Sequence, residues 1–126
     1  MNRTILSINV NRPMNYLLQT VLSKKYHFVS VSDVFFAMSS LRKNKDINLV
    51  IADIDNAEQD IWELIEHINT SKLYQKSIIV LCSENDAKID AKMKELGLKN
   101  LVKKPFSPPE LVKKIDEIML TEVIHD

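Results

Sequence analysis

Asn48-Leu49-Val50-Ile51-Ala52-Asp53-Ile54-Asp55 is the stretch on which the interpretation of this chain depends. A short apolar run that stops at a carboxylate is typical of a strand buried on both faces, as in a parallel sheet covered by helices. In open α/β sheets, ligands bind at the carboxyl ends of such strands. Asp53 lies at that end, but aspartate is also a common turn residue. The stretch alone therefore leaves the role of Asp53 open.

Segments with strand and helix patterns alternate on both sides of this central strand. The other predicted strands are Thr4–Ile8, His27–Val31, Ser77–Leu81 and Asn100–Val102. Between them, apolar residues recur at helical spacing, with Pro13, Asp33 and Pro108 near three of the predicted helix starts and Gly97 at a predicted helix end. Five strands alternating with five helices predict one domain over residues 1–126 with a flavodoxin-like (βα)5 fold. We expect a doubly wound parallel sheet in the order 2-1-3-4-5.

The composition excludes several classes of protein. Lysine plus arginine equals aspartate plus glutamate, 17 each, so no overall positive charge attracts nucleic acid. No apolar run approaches the roughly 20 residues that a membrane helix needs. One cysteine, Cys82, and no secretory pattern at the N-terminus predict a cytoplasmic protein. A single glycine excludes a glycine-rich phosphate loop, and the three histidines lack metal-ligand spacing.

Three stretches in register resemble the receiver domains of response regulators. Asp53 follows the buried strand and Asp60 lies seven positions later. The second stretch is Ser77-Ile78-Ile79-Val80-Leu81-Cys82-Ser83, which is similar to the family's fourth strand. The third is Gly97 followed by Lys104-Pro105-Phe106 and then Glu110-Leu111. The resemblance covers nearly the whole chain.

The resemblance implies a site for phosphoryl transfer from a phosphohistidine to the aspartate matching Asp53. In that family Mg²⁺ is held by this aspartate, by an acidic pair that ends the first strand, and by the backbone carbonyl matching Asp55. A lysine matching Lys104 pairs with the phosphoryl group, and the bond matching Lys104–Pro105 is cis. A hydroxyl after the fourth strand and an aromatic residue in the fifth strand complete the switch.

This sequence departs from that pattern at most of the site. Asn9 and Val10 stand at the acidic pair, and an uncharged amide and an alkyl group are poor ligands for a hard cation. Cys82 stands at the hydroxyl position, with Ser83 next to it as a substitute, and Leu101 at the aromatic position. We therefore expect no cofactor, with Mg²⁺ bound weakly if at all and with Asp53 and Asp55 as its weak candidate ligands. Asn9 is either a further weak ligand through its amide oxygen or a hydrogen-bonding residue within the loop. A retained Asp53–Lys104 pair is the alternative to a phosphoacceptor.

Three functional hypotheses follow. The preferred one is an atypical receiver in two-component signalling that is not an enzyme and acts through protein–protein contact without a phosphorylation cycle. The second is a receiver still phosphorylated at Asp53 by a histidine kinase or a small phosphodonor. The third is a flavin-binding or enzymatic flavodoxin-like domain. The sequence leaves open whether the chain is a whole regulator or a piece of a longer one.

The predicted partners are a histidine kinase, an output protein or another signalling protein, with neither nucleic acid nor membrane. The resemblance implies that the face between the fourth and fifth helices makes the contact, or forms a homodimer. Its predicted residues are Lys92, Lys99, Leu101, Lys103 and Lys113. Trp62 and the adjacent Phe35 and Phe36 would mark a further partner surface if exposed, but core packing is the default for large apolar side chains.

Overall fold

The computed structural model describes residues 3–55, 59–71, 76–84 and 86–125 of the chain. Its strands are β1 (Thr4–Ile8), β2 (His27–Val31), β3 (Ile47–Asp53), β4 (Ser77–Cys82) and β5 (Asn100–Lys103). Its helices are α1 (Arg12–Leu22), α2 (Val34–Lys43), α3 (Gln59–Thr70), α4 (Ala87–Glu95) and α5 (Pro108–His125). The strands form one parallel sheet in the order β2-β1-β3-β4-β5. The flavodoxin-like prediction is therefore confirmed.

The central strand β3 is buried on both of its faces. Val50 and Ala52 pack into the cluster beneath α2, α3 and α4, whereas Leu49 and Ile51 pack into the cluster beneath α1 and α5. All four side chains are at most 1% exposed. This two-sided burial explains the unbroken apolar run, and it holds the end of β3 rigidly in the middle of the sheet.

Side chains at the starts of three helices satisfy backbone donors. Asn11, Asp33 and Asp86 cap α1, α2 and α4, and each accepts a hydrogen bond from the amide three residues later. Such caps stabilise a helix by about 1 kcal/mol each, because the first amides of a helix have no partner within it. After α4, Gly97 adopts a positive φ of 68°, as expected for a helix end.

Phe35 and Phe36 lie outside the core, so the default expectation of core packing is wrong for both. They are 71% and 53% exposed, and their rings meet edge to face with centroids 5.5 Å apart. The buried residues of α2 are Ala37 and Leu41, which leaves positions 35 and 36 on the solvent side of the helix. Trp62, in contrast, is partly buried against the core.

Candidate functional site

The candidate site lies at the carboxyl edge of the sheet, where the central strands end. Asp53 is the last residue of β3, and Asn9 directly follows β1. Both are buried, with 6% and 3% of their surface exposed. Since a buried carboxylate is costly unless it is paired and hydrogen-bonded, the contacts of Asp53 define what the site can do.

Both oxygens of the Asp53 carboxylate accept hydrogen bonds from within the chain. Oδ2 accepts from Nζ of Lys104 and from Nδ2 of Asn9, each at 2.7 Å. Oδ1 accepts from the backbone amide of Asp55 at 2.9 Å. The structure thus contains the Asp53–Lys104 pair that the sequence predicts, and Lys104 is itself largely buried, with a side chain 12% exposed.

Asp55 shares the same lysine. Its Oδ2 lies 2.8 Å from Nζ of Lys104 and accepts the hydroxyl of Ser83, while Oδ1 accepts the Ser83 amide at 3.0 Å. Burial raises the pKa of Asp55, but the hydrogen bonds from Lys104 and Ser83 outweigh burial, and the net pKa is lower than usual. Burial lowers the pKa of Lys104, and its hydrogen bonds to Asp53 and Asp55 reverse that effect, so its net pKa is raised.

Asn9 is held in one orientation by its neighbours. Its side-chain oxygen accepts the amide of Asn11 at 2.8 Å, and its Nδ2 points to Asp53. On the other side, Asn15 of α1 donates from Nδ2 to the backbone oxygen of Asn9 and accepts the hydroxyl of Ser7, both at 2.9 Å. Asn9 therefore presents a hydrogen-bond donor, not an oxygen ligand, to the carboxylate of Asp53.

These residues do not fit the Mg²⁺ site that the resemblance implies. Mg²⁺ is bound through oxygen, preferably from carboxylates. The two positions expected to be acidic hold the inward-facing NH₂ of Asn9 and Val10, which is 64% exposed. In the ranges that the structure describes, no group of three or more histidine, cysteine, aspartate or glutamate side chains is arranged to hold a metal ion. Lys104 supplies the positive charge instead.

Comparison with known proteins identifies the family. A sequence profile described as response regulator receiver domain matches residues 5–116, most of the chain. The chain belongs to this family. It is a CheY-like receiver domain of two-component signalling, a class of domains that interact with histidine kinases and output proteins and are generally not enzymes.

Individual relatives of the receiver domain are distant. A chemotaxis protein CheY homologue of Campylobacter jejuni is 27% identical over 86 residues, which are 68% of this chain and 66% of that protein. Hybrid signal transduction histidine kinase D of Dictyostelium discoideum is 25% identical over 91% of this chain, which spans only 7% of the kinase. The solved signal receiver domain of an HD domain-containing protein from Pseudomonas fluorescens has a TM-score of 0.85 at 22% identity, covering 96% of this chain and 97% of that one.

The remaining predicted positions of the receiver site lie around this cluster. Cys82 ends β4 fully buried, and burial, together with the charges of Asp55 and Asp53, raises the pKa of its thiol. Leu101 lies half-buried in β5, packed against the core. The Lys104–Pro105 bond is cis, as the resemblance implied. The hydroxyl that reaches the site belongs to Ser83, the substitute that the sequence offered, and not to the position held by Cys82.

Sequence reasoning missed two features of the receiver site. It considered only the backbone carbonyl and a weak metal contact for Asp55, whereas the Asp55 side chain bonds both Ser83 and Lys104. It also missed a cavity of about 200 Å³ beside Asp53 that Asp33 and Asp60 help to line. The available signal for the first feature was the second carboxylate two positions after Asp53, a charge that needs a partner once it is partly buried.

Acid should weaken the contacts of Asp55. Because its pKa is lower in the folded protein than the ordinary 3.8, its contribution to stability is complete above pH 3.8 and is lost as pH falls through the folded-state pKa. Asp55→Asn should lower the free energy of unfolding by about 1–3 kcal/mol at neutral pH. It should also make the free energy of unfolding fall less steeply as the pH is lowered. Urea titrations at neutral and acid pH measure both effects. Asp90→Asn, at an exposed position on α4, is the control. If the stability of Asp55→Asn declines in acid as steeply as that of the wild-type protein, the assignment is contradicted.

Proposed function

We propose that this receiver domain signals through protein–protein contact and without a Mg²⁺-dependent phosphorylation cycle. The observation that carries the proposal is the set of contacts around Asp53. Asn9, Lys104 and the amide of Asp55 already occupy the oxygens of the carboxylate. These three hydrogen bonds fill most of the roughly four lone-pair positions of the carboxylate, so that a phosphoryl donor finds one free position, on Oδ1.

The charge of the site supports the same conclusion. Phosphoryl transfer needs positive charge and oriented donors around the transferred group, because negative charge is spread over its oxygens in the transition state. Here Asp53 and Asp55 carry two negative charges against the single positive charge of Lys104. The Ser83 hydroxyl, the donor best placed to meet a phosphoryl oxygen, is bonded to Asp55. The cluster is better suited to a stable fold than to phosphoryl transfer.

The second candidate is a receiver that still accepts phosphate at Asp53, from a histidine kinase or a small phosphodonor. It is favoured by one observation, which is that Nζ of Lys104 lies 2.7 Å from Oδ2 of the Asp53 carboxylate. A lysine there would remain available to pair with a phosphoryl group.

Intact-protein mass spectrometry separates the two candidates. After incubation with Mg²⁺ and acetyl phosphate or phosphoramidate, we expect the mass of the wild-type protein to be unchanged. A receiver with an intact acidic pair serves as the positive control for the reagents. A stoichiometric phosphoryl adduct that disappears in Asp53→Ala would contradict the first proposal and support the second.

The surface that we propose for partner contact is the basic face of α4, β5 and α5. We define it by Lys99, Leu101, Lys103 and Lys113 of the predicted set, together with Lys114. Lys92, the remaining predicted residue, is left out because it lines a groove beside Trp62 of α3. Lys99, Lys103 and Lys113 are exposed. Lys114, which the sequence analysis did not select, joins Leu101 and Lys103 in lining a groove of about 240 Å³ between β5 and α5. Such a concentration of lysines favours an acidic partner, because opposite charges steer association and fix its specificity.

A homodimer through the basic face is the less favourable arrangement. A twofold axis brings the same patch of both subunits together, so lysines would face lysines. We therefore propose a histidine kinase or an output protein with an acidic surface as the partner. We also propose a cytoplasmic location, on the basis of the free buried Cys82. Among the described residues, none of the helices is long and apolar enough to span a membrane.

Charge reversal tests the basic face against the Asp53 site. Lys99→Glu with Lys103→Glu should weaken capture of the partner in a pull-down by about tenfold, which corresponds to 1.4 kcal/mol. Asp53→Asn should leave capture nearly unchanged. Lys24→Glu, at an exposed lysine after α1, is the matched control. If Asp53→Asn abolishes capture and the reversals on the basic face do not, the Asp53 site still controls partner binding and the proposal fails.

A further inference from the structure

The outer edge of β2 has the properties of a strand that pairs with another strand. Within the described residues, β2 hydrogen-bonds only to β1. His27 donates its amide to Arg3, and the carbonyl of Val31 accepts the amide of Asn9. Because the backbone groups of successive residues in a strand point to opposite sides, the amides and carbonyls of Phe28 and Ser30 point away from the sheet.

This edge lacks the features that usually protect edge strands. Natural proteins block exposed edges with charged side chains, prolines or bulges. His27–Val31 contains no lysine, arginine, aspartate, glutamate or proline, and its register with β1 is continuous. The opposite edge strand, β5, differs because it ends at Lys103 and is followed by Pro105. The open edge of the sheet is therefore the β2 side.

A groove of about 520 Å³ runs beside this edge. Ser30, Val31 and Ser32 line it from β2 and the residue after it, and Asn15 lines it from α1. On the α2 side, the groove is lined by a stripe of residues at helical spacing, which are Phe36, Ser39, Ser40 and Lys43. The two serines in the middle of the stripe are small, so a second backbone or helix can approach closely there. Phe36, 53% exposed, stands at one end of the stripe and Lys43 at the other.

We propose that the β2 edge is the interface of a homodimer, in which the β2 strands of two copies pair antiparallel about a twofold axis near Ser30. Antiparallel pairing extends the sheet through the outward-pointing backbone groups of Phe28 and Ser30. This proposal does not depend on the proposed function of the Asp53 site, and it uses a surface separate from the basic face.

The stripe on α2 is complementary to itself under a twofold axis, because it carries Phe36 at one end and Lys43 at the other. This complementarity favours a second copy of the chain as the occupant. The same axis sets the two α2 helices antiparallel, so that Phe36 of one copy approaches Lys43 of the partner subunit. A lysine over an aromatic ring is a favourable contact, and the serines would meet at the centre.

Sedimentation equilibrium tests the dimer directly. The wild-type chain should dimerise, and Ser30→Lys should weaken dimerisation by on the order of tenfold or more, because it places two like charges at the twofold axis. Ala91→Lys, at an exposed position on α4 far from β2, is the matched control and should dimerise like wild type. Thermal unfolding followed by circular dichroism establishes that each variant is folded.

Disulfide trapping tests the register without relying on a weakened variant. In a Cys82→Ala background, Ser30→Cys should cross-link under mild oxidation, since directly opposite residues in an antiparallel pair lie within disulfide reach. Ala91→Cys, on exposed α4 surface far from β2, should not cross-link. A wild-type chain that is monomeric up to millimolar concentration would overturn the proposal, and so would equal cross-linking of the two cysteines. A dimer that survives Ser30→Lys but dissociates in Lys103→Glu would overturn it in favour of the basic face.

Discussion

Replacing Lys104 with methionine should lower the free energy of unfolding by about 3–5 kcal/mol, because removal of one partner leaves buried charge without compensation. The Lys104 ammonium contacts both Asp53 and Asp55, and the side chain of Asp53 is only 3% exposed. Methionine keeps most of the apolar part of the lysine side chain, so the lost stability measures the contribution of the ammonium charge and its hydrogen bonds. Urea titration at neutral pH measures the change.

Two further variants make this prediction specific. Lys103→Met, at the exposed neighbouring position, should change the free energy of unfolding by less than about 0.5 kcal/mol, as surface substitutions usually do. Adding Asp53→Asn to Lys104→Met should restore part of the lost stability, because the unpaired charge of the Asp53 carboxylate is then removed as well. A Lys104→Met protein as stable as wild type would show that water or another group neutralises Asp53.

The second large effect concerns the missing acidic pair. Asn9→Asp with Val10→Asp should destabilise the protein when Mg²⁺ is absent, since the Asn9 amide that donates to Asp53 at 2.7 Å is replaced by a second carboxylate. The same change supplies oxygen ligands, so Mg²⁺ should bind the variant at least about tenfold more tightly than it binds the wild-type chain. Because Mg²⁺ would bind only the folded form, it should also raise the melting temperature of the variant.

Calorimetric titration and thermal unfolding with and without Mg²⁺ measure the two halves of this prediction. Val10→Asp alone is the control, because it adds a carboxylate at a position that is 64% exposed and leaves the Asn9–Asp53 contact in place. Equal Mg²⁺ affinity in wild type and double variant would show that other residues already supply a metal site.

The contacts of Asp53 could be foreseen only in part. Its place at the end of a buried strand follows from a local pattern, and the parallel order of strands then brings Asn9 and Lys104 to the same edge of the sheet. What each side chain does at that edge depends on competition among donors and acceptors. The Asp55–Ser83 contact joins residues 28 positions apart, and no local pattern distinguishes Ser83 from the neighbouring Cys82 as its donor.

The burial of apolar side chains was also predictable at one place and not at another. The burial of β3 was predictable, because four consecutive apolar residues between alternating helix patterns are typical of a strand covered on both faces. The exposure of Phe35 and Phe36 was not, since apolar character alone favours the core. Their position was decided by which stripe of α2 packs on the sheet, and Ala37 and Leu41 occupy that stripe.

Local pattern and strand order were thus sufficient for the fold and the position of Asp53, because periodicity, turn residues and the handedness of parallel connections are properties of short segments. The family followed from the resemblance of three stretches of sequence to receiver domains. Tertiary structure alone decided that Lys104 bridges Asp53 and Asp55, that Asn9 turns its NH₂ inward, and that Ser83 is bonded to a carboxylate. The physical reason is that a buried charge takes whichever partners the packed elements bring within hydrogen-bond distance, and that choice is made in space and not along the chain.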